Sequence, residues 1–231
     1  MSANNLPVPI LYSDEVLLVI DKPAGLPSLP DGYNPGAPHV RSLLEPQYGR
    51  VWIVHRLDRG TSGVLLLVRS AETHRALNQQ FGQRQVTKVY HALVNGSPDW
   101  KEKTVDLPLR IDVGHKHRTA IDPARGKPAV TQLRVLERFA GYTLVEASPE
   151  TGRTHQIRAH LAALGHPLVA DELYGSDPVG DSPAIMPRLG LHARRLTLSH
   201  PILHSILTFE APYPEDYAQA LALLRERGRP D

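Results

Sequence analysis

Residues 51–68 read VWIVHRLDRGTSGVLLLV: two apolar runs, 51–54 and 64–68, with His55, Arg56, Asp58 and Arg59 held between them. Short runs dominated by Val, Ile and Leu predict buried strands. A charged loop held so tightly between buried strands is positioned for a purpose. In it, Asp58 lies between Arg56 and Arg59, and nearby positive charge favours the ionised carboxylate. Such a carboxylate can act as a nucleophile. The alternative is an aspartate that caps the turn and pairs with an arginine.

Working outward, residues 15–20 (EVLLVI) read as a buried strand stopped by Asp21-Lys22-Pro23-Ala24-Gly25. Residues 27–38 are dense in Pro, Gly, Asn and Asp and form a loop too long for a simple turn. Ser70 is placed to cap a helix that shows Leu77 and Phe81 on one face and ends at Gly82. Residues 86–94 alternate with both faces largely apolar, as in a central strand. Residues 129–138 and 142–147 form a hairpin about Gly141. Thr154 caps a helix with Ile157, Leu161 and Leu164 as its buried stripe, closed by Gly165. A second loose loop covers 175–187. Strands at 191–198 and 206–210 follow, then a helix after Pro214 bearing Tyr217, Leu221 and Leu224. Strands outnumber helices and mostly follow one another, which predicts an α+β chain with a mixed, largely antiparallel sheet.

Composition narrows the function classes. The 231 residues include no cysteine, which excludes disulfides and thiolate metal sites. No apolar run approaches the roughly 18 residues of a membrane span, and residues 1–11 carry no signal-like core. A cytoplasmic protein without membrane contact is expected. The net charge of +2 is too small to imply nucleic acid by itself. Its distribution says more: residues 110–138 hold seven Lys/Arg against Asp112, Asp122 and Glu137. Arg194 and Arg195 form another cluster, and Arg225, Arg227 and Arg229 a third. Such a stripe can follow a phosphate backbone, or it can be an ordinary solvated surface.

The second chemical segment is Gly152-Arg153-Thr154-His155-Gln156-Ile157-Arg158-Ala159-His160. Its amides open a helix and can meet an anion. Arg158 flanks the buried stripe, where a guanidinium needs a carboxylate partner, and Asp58 is the candidate. The alternative is a helix-surface arginine.

Taken together, HRLDRGTSG, KVY at 88–90, TGRTHQIRAH followed by GHPLVAD, LHARRLTLSHP at 191–201, the opening ILYSDEVLLVIDKPAGLPS and GKPAVT at 126–131 resemble the RluA-like pseudouridine synthases, in order and at family-like spacing over about residues 10–214. The resemblance implies a bent, mainly antiparallel central sheet with flanking helices. It also implies an enzyme that isomerises chosen uridines of structured RNA, in a stem-loop of ribosomal or transfer RNA, to pseudouridine after flipping the base. Asp58 matches the family's catalytic aspartate. Tyr90 matches the tyrosine that stacks on the target base and is a candidate for proton removal from C5. Arg158 matches the basic residue paired with the aspartate, and Arg56 the arginine that fills the place of the flipped uridine. His55, Arg59, Thr61, Arg153 and Thr154 are expected beside Arg56 as RNA-binding residues. An isomerisation needs no cofactor, metal or energy source, so none is expected.

Because the match begins near Ile10, the chain is expected to be one catalytic domain over 1–231 without an S4-type domain in front. RNA contact is expected from residues 27–38, 110–125 and 175–188, and a monomer with no obligate protein partner is the simplest assembly. Two rivals exist. The twelve histidines invite a metal reading: His115 and His117 form a loose pair in a basic stretch, and His155, His160 and His166 near Asp171 suggest a zinc hydrolase; His155 and His160 are five apart, however, so they do not stack as an i, i+4 metal pair does. Helix-surface histidines and a dipole partner at His166 are the plainer reading. The other rival, a non-catalytic RNA-binding module, is opposed by the presence of Asp58, Tyr90 and Arg158.

Overall fold

Every side chain of the strand Ser62–Val68 is buried, so this segment must be covered on both faces. The computed structural model describes residues 8–30, 34, 36–114, 118–175 and 185–228. The chain divides into two compact units: residues up to Lys88 with Ala193–Pro212, and Val89–His192 with Tyr213 onward.

The first unit opens with β1 (Ile10–Ser13) and β2 (Leu17–Lys22), then α1 (Val40–Tyr48), β3 (Trp52–Ile53), β4 (Ser62–Val68) and α2 (Ala71–Gly82). The chain leaves it within β5 (Thr87–Asn95). In the second unit come β6 (Glu102–Asp106), β7 (Leu109–Val113), β8 (Arg118–Ile121), β9 (Val130–Phe139), β10 (Tyr142–Pro149) and α3 (Gln156–Ala163). The chain returns within β11 (Leu191–Ser199), adds β12 (Ile206–Glu210) to the first unit, and ends in α4 (Glu215–Glu226) in the second. The first unit orders its strands β1-β2-β4-β11, with β3 on β4 and β12 on β11; the second orders them β5-β10-β9-β6, beside the separate pair β7-β8. The β1/β2, β2/β4, β3/β4, β11/β12, β5/β10, β9/β10, β6/β9 and β7/β8 ladders are all antiparallel. This is the α+β, mainly antiparallel arrangement expected.

The reasons are local. In the first unit Leu17 and Val19 of β2 and Val64, Leu66 and Val68 of β4 share a core with Leu77 of α2 and Leu196 and Leu198 of β11. Each fully buried leucine contributes about 1.5–3 kcal/mol. The Ser70 hydroxyl accepts the Thr73 N–H at 3.1 Å and starts α2. In the second unit β5 serves two cores. Ala92 and Val94 pack with Val145, Ile157 and Leu161, while Leu93 packs with Phe139, Leu144 and Leu221. That is why both faces of residues 86–94 are apolar.

Some elements depart from the sequence expectation. Helix α1 carries Pro46 inside it and starts from His39, whose ring accepts the Ser42 N–H at 2.9 Å while Ser42 Oγ accepts the His39 N–H at 2.9 Å. Part of the expected 110–125 loop is the β7-β8 pair. Helix α3 is not capped by Thr154. His155 is its N-cap in the left-handed region (φ 53°), without a side-chain cap bond. The Thr154 carbonyl accepts the Thr119 hydroxyl at 2.8 Å, and Gln156 Oε1 accepts the Thr151 hydroxyl at 2.7 Å and the Arg153 N–H at 3.0 Å.

Two residues tie the 55–61 loop to β4. Gly63 has φ +110°, and a Cβ there would overlap the backbone of Ala193 in β11. His55 Nε2 accepts the Leu66 N–H at 3.1 Å, and the imidazole stacks on Phe81 with ring centroids 5.1 Å apart. Burial and the charge of Lys88 push His55 down to about 3, so it serves as a neutral acceptor, and burial brings Lys88 itself down to about 8.

Gly63→Ala is expected to destabilise the chain by about 3 kcal/mol or more, through strain and overlap together; an unchanged urea midpoint would refute the close approach. For His55 the folded state resists protonation while the unfolded chain, with an ordinary histidine near 6.5, accepts it. Above pH 6.5 His55 therefore has no effect on the pH dependence, and stability falls as pH drops from 6.5 toward 3. His55→Gln should flatten that decline in urea titrations at pH 7 and pH 4.5; parallel profiles would count against a neutral His55.

Candidate active site

The Asp58 turn is built from the first unit's backbone. Leu57 is buried, Asp58 half-buried, and Arg56 and Arg59 are exposed. The Thr61 N–H closes the turn on the Asp58 carbonyl at 3.0 Å. On one side of Asp58, the Ser28 hydroxyl donates to the Leu57 carbonyl at 2.8 Å and accepts the Leu57 N–H at 3.2 Å. On the other side, the Arg59 carbonyl accepts the Gly25 N–H at 2.8 Å and the fully buried Lys22 ammonium at 3.4 Å. Arg59 Nε returns a bond to the Gly25 carbonyl at 3.1 Å. The Lys22 ammonium also donates to the Pro23 and Leu26 carbonyls, each at 2.8 Å. A short polar turn at 22–28 thus holds both neighbours of the aspartate, leaving Arg56 facing outward.

Sequence reasoning put His55 and Thr61 among RNA-binding groups. The structure turns His55 toward β4, as above, and buries Thr61, whose hydroxyl has no hydrogen-bond partner among the described residues. Arg153 is half-buried, with Nε on the Pro128 carbonyl at 3.2 Å, and Thr154 is exposed. The amide of Arg153 is satisfied by Gln156, so the start of α3 is already capped from within the protein.

In the second unit Tyr90 lies on β5 opposite Ala147 of β10 and packs, half-buried, against the core that holds Ile157 and Leu161. Arg158 on α3 forms a bidentate pair with Asp171, Nε to Oδ2 at 2.8 Å and Nη2 to Oδ1 at 2.7 Å. The Asp171 side chain is 0% exposed and that of Arg158 12%. The guanidinium lies over the Tyr174 ring, 5.0 Å from its centroid. Asp171 Oδ1 also accepts the N–H groups of Leu173 and Tyr174 at 3.1 and 3.2 Å. The Tyr174 oxygen accepts the Thr119 N–H at 2.7 Å and lies 3.2 Å from His155 Nδ1. Burial raises the Tyr174 phenol above its ordinary range. The helix-surface alternative for Arg158 is therefore overturned. Asp171 as its partner was missed from the sequence, although the GHPLVAD stretch ends on that carboxylate.

Several other basic groups are paired with carboxylates. Arg110 pairs with Asp122, Arg134 with Glu146, Arg194 and Arg195 with Glu210, and Arg225 with Glu137. These parts of the basic stripe are mixed-charge surface. His160 is not a surface histidine but a buried one. Thr131 Oγ1 lies 2.9 Å from its Nδ1, the Leu107 carbonyl 3.0 Å from its Nε2, and burial lowers its affinity for a proton. Among the described residues no group of three or more His, Asp or Glu could hold a metal ion, and no helix is long and apolar enough to cross a membrane. His115 and His117 lie outside the described residues, as do 31–33, 35 and 176–184 of the expected RNA-contact loops.

Comparison with known proteins identifies the family. The family model for RNA pseudouridylate synthase matches residues 16–163. The chain is 42% identical over 232 residues to ribosomal large subunit pseudouridine synthase D of Nitrosomonas europaea, covering 96% of this chain and 67% of that protein. It is 40% identical over 204 residues to the dual-specificity RNA pseudouridine synthase RluA of Escherichia coli, covering 88% and 92%. Among solved structures, human RNA pseudouridylate synthase domain containing 4 superimposes with a TM-score of 0.77 at 28% identity, covering 94% of this chain and 93% of that one. With a family match over well over half its length and relatives at this identity, the chain belongs to the RluA-like RNA pseudouridylate synthase family and is an isomerase.

Proposed function

We propose that this enzyme converts uridine to pseudouridine in a stem-loop of ribosomal or transfer RNA, with Asp58 as its catalytic carboxylate and with Tyr90 and Arg158 serving the same uridine. The observation that carries the reading is the half-buried Asp58 whose two chain neighbours are each anchored to the 22–28 turn. Catalytic groups gain from such fixing, because a misplacement of about 1 Å can cost on the order of 100-fold in rate.

The chemistry follows from what must be moved. A uridine in a helix is stacked and paired, so it must first leave the stack at a cost of a few kcal/mol, least in a loop. Arg56, exposed beside the turn, is suited to fill the vacancy. Asp58 then assists cleavage of the N1–C1′ bond, either by attack on C1′ or by another route that leaves the base free to turn. The base reattaches through C5 to C1′, and the C5 proton is lost as N1 gains one, so atoms balance without an external reagent. Tyr90 offers a flat apolar wall with a polar tip, suited to stacking and to receiving that proton. Arg158 is proposed as the basic residue serving the same reaction; its own direction is fixed by Asp171 and the Tyr174 ring.

The names of the relatives, several of them ribosomal large subunit synthases, make large-subunit ribosomal RNA the first substrate to test. A cytoplasmic monomer acting as a single catalytic domain, without cofactor or metal, is the accompanying proposal. RNA contact is assigned to Arg56, Arg59, Arg153 and Thr154, with His55 and Thr61 supporting the turn from behind.

Asp58→Asn should fold and bind RNA normally while its release of tritium from C5-labelled uridine RNA falls at least about 1000-fold; turnover near the wild-type rate would sink the assignment. Removing one partner of a buried, hydrogen-bonded ion pair costs about 3–5 kcal/mol. Asp171→Ala should therefore lower the melting temperature markedly and reduce turnover with it. An unaltered thermal transition would show that the Arg158–Asp171 pair is not holding α3.

A further inference from the structure

We infer that Ser28 is a positioning residue for Asp58, acting through the backbone of Leu57. The inference rests on the reading of Asp58 above. No ladder is formed at Leu57, which lies between β3 and β4 in a loop, yet it is buried, and buried backbone groups must find partners. A single hydroxyl meets both needs: Ser28 Oγ donates to the Leu57 carbonyl at 2.8 Å and accepts the Leu57 N–H at 3.2 Å. The site needs a side chain that both donates and accepts from one compact position, which a serine or threonine hydroxyl provides. Ser28 is itself 4% exposed, as is Leu57, so water is poorly placed to substitute.

The consequence falls on the next residue. With the Leu57 peptide held here and the Arg59 carbonyl held by Gly25 and Lys22, the backbone on either side of Asp58 has little freedom, and its carboxylate is aimed without spending substrate binding energy. Without the hydroxyl, two buried groups lose their partner, and the cheapest relief is for the 56–58 segment to shift toward water. That shift moves Asp58 while leaving the exposed Arg56 and Arg59 free to meet RNA.

The test compares two variants of nearly the same shape, Ser28→Thr and Ser28→Val, with Ser28→Ala as a smaller third. Each is measured for melting temperature, RNA dissociation constant and single-turnover rate at saturating enzyme. Val and Ala are expected to be about 10- to 100-fold slower than Thr, with dissociation constants within about twofold of wild type. Thr, which restores the hydroxyl, should recover most of the wild-type rate. Equal rates for Thr and Val, or a deficit confined to RNA binding or to melting temperature, would overturn the inference. Ala decides the matter if the branched side chains do not fold. Wild type and Asp58→Asn run alongside. A wild type that makes no pseudouridine, or an Asp58→Asn variant that does, refutes the functional reading. Normal behaviour of both with Val equal to Thr refutes the Ser28 role alone.

Discussion

An aspartate in a loop between two buried strands can be held only by hydrogen bonds that no sheet supplies. β3 ends at Ile53 and β4 begins at Ser62, so the residues between them have to find other partners for their peptide groups. The first unit meets that demand with one short turn. Ser28 takes both polar groups of Leu57, Gly25 and the buried Lys22 take the carbonyl of Arg59, and Thr61 closes the turn on Asp58 itself. His55 and Gly63 then bind the loop's ends to β4 and to its neighbour β11. Most of these partners are themselves buried, where an unmade hydrogen bond costs about 1–3 kcal/mol, so the arrangement resists small displacements.

The second unit applies the same rule to a charge. A guanidinium nearly out of contact with water needs an equally buried carboxylate in bidentate geometry. Asp171 supplies it, and its Oδ1 also accepts two backbone N–H groups, so the aspartate is fixed by the chain around it before it fixes Arg158. The Tyr174 ring under the guanidinium completes the seat. An arginine held in this way has its plane and position set in advance, which is what an electrostatic role in catalysis requires.

Strands with two buried faces were legible because continuous apolar runs leave few alternatives: 64–68 and 86–94 could hardly be anything else. Helix α2 was legible from Ser70, whose hydroxyl has a local partner three residues on. Helix α1 was not, because it contains Pro46 and is capped by a histidine, neither of which signals a helix. Nor was β6: four of its five residues are exposed, and it is a strand because β9 pairs with it. The chemical residues followed the same division. Asp58, Tyr90 and Arg158 stood out by type and motif, whereas Ser28 closes the family-like opening stretch at the edge of a Pro-rich loop, with nothing to mark it as a partner of Leu57.

From the order of residues alone came the α+β class, the family, and the side chains proposed for the reaction, because periodicity and motif are properties of neighbours along the chain. Only the tertiary structure decided that Arg158 is seated on Asp171, that His55 and Thr61 turn inward, and that Ser28 bonds to Leu57. Those bonds join residues 13 to 29 positions apart, or turn a side chain toward a neighbouring strand. Such partners are selected by burial and by the need to satisfy each polar group out of water, and neither quantity exists until the chain has folded.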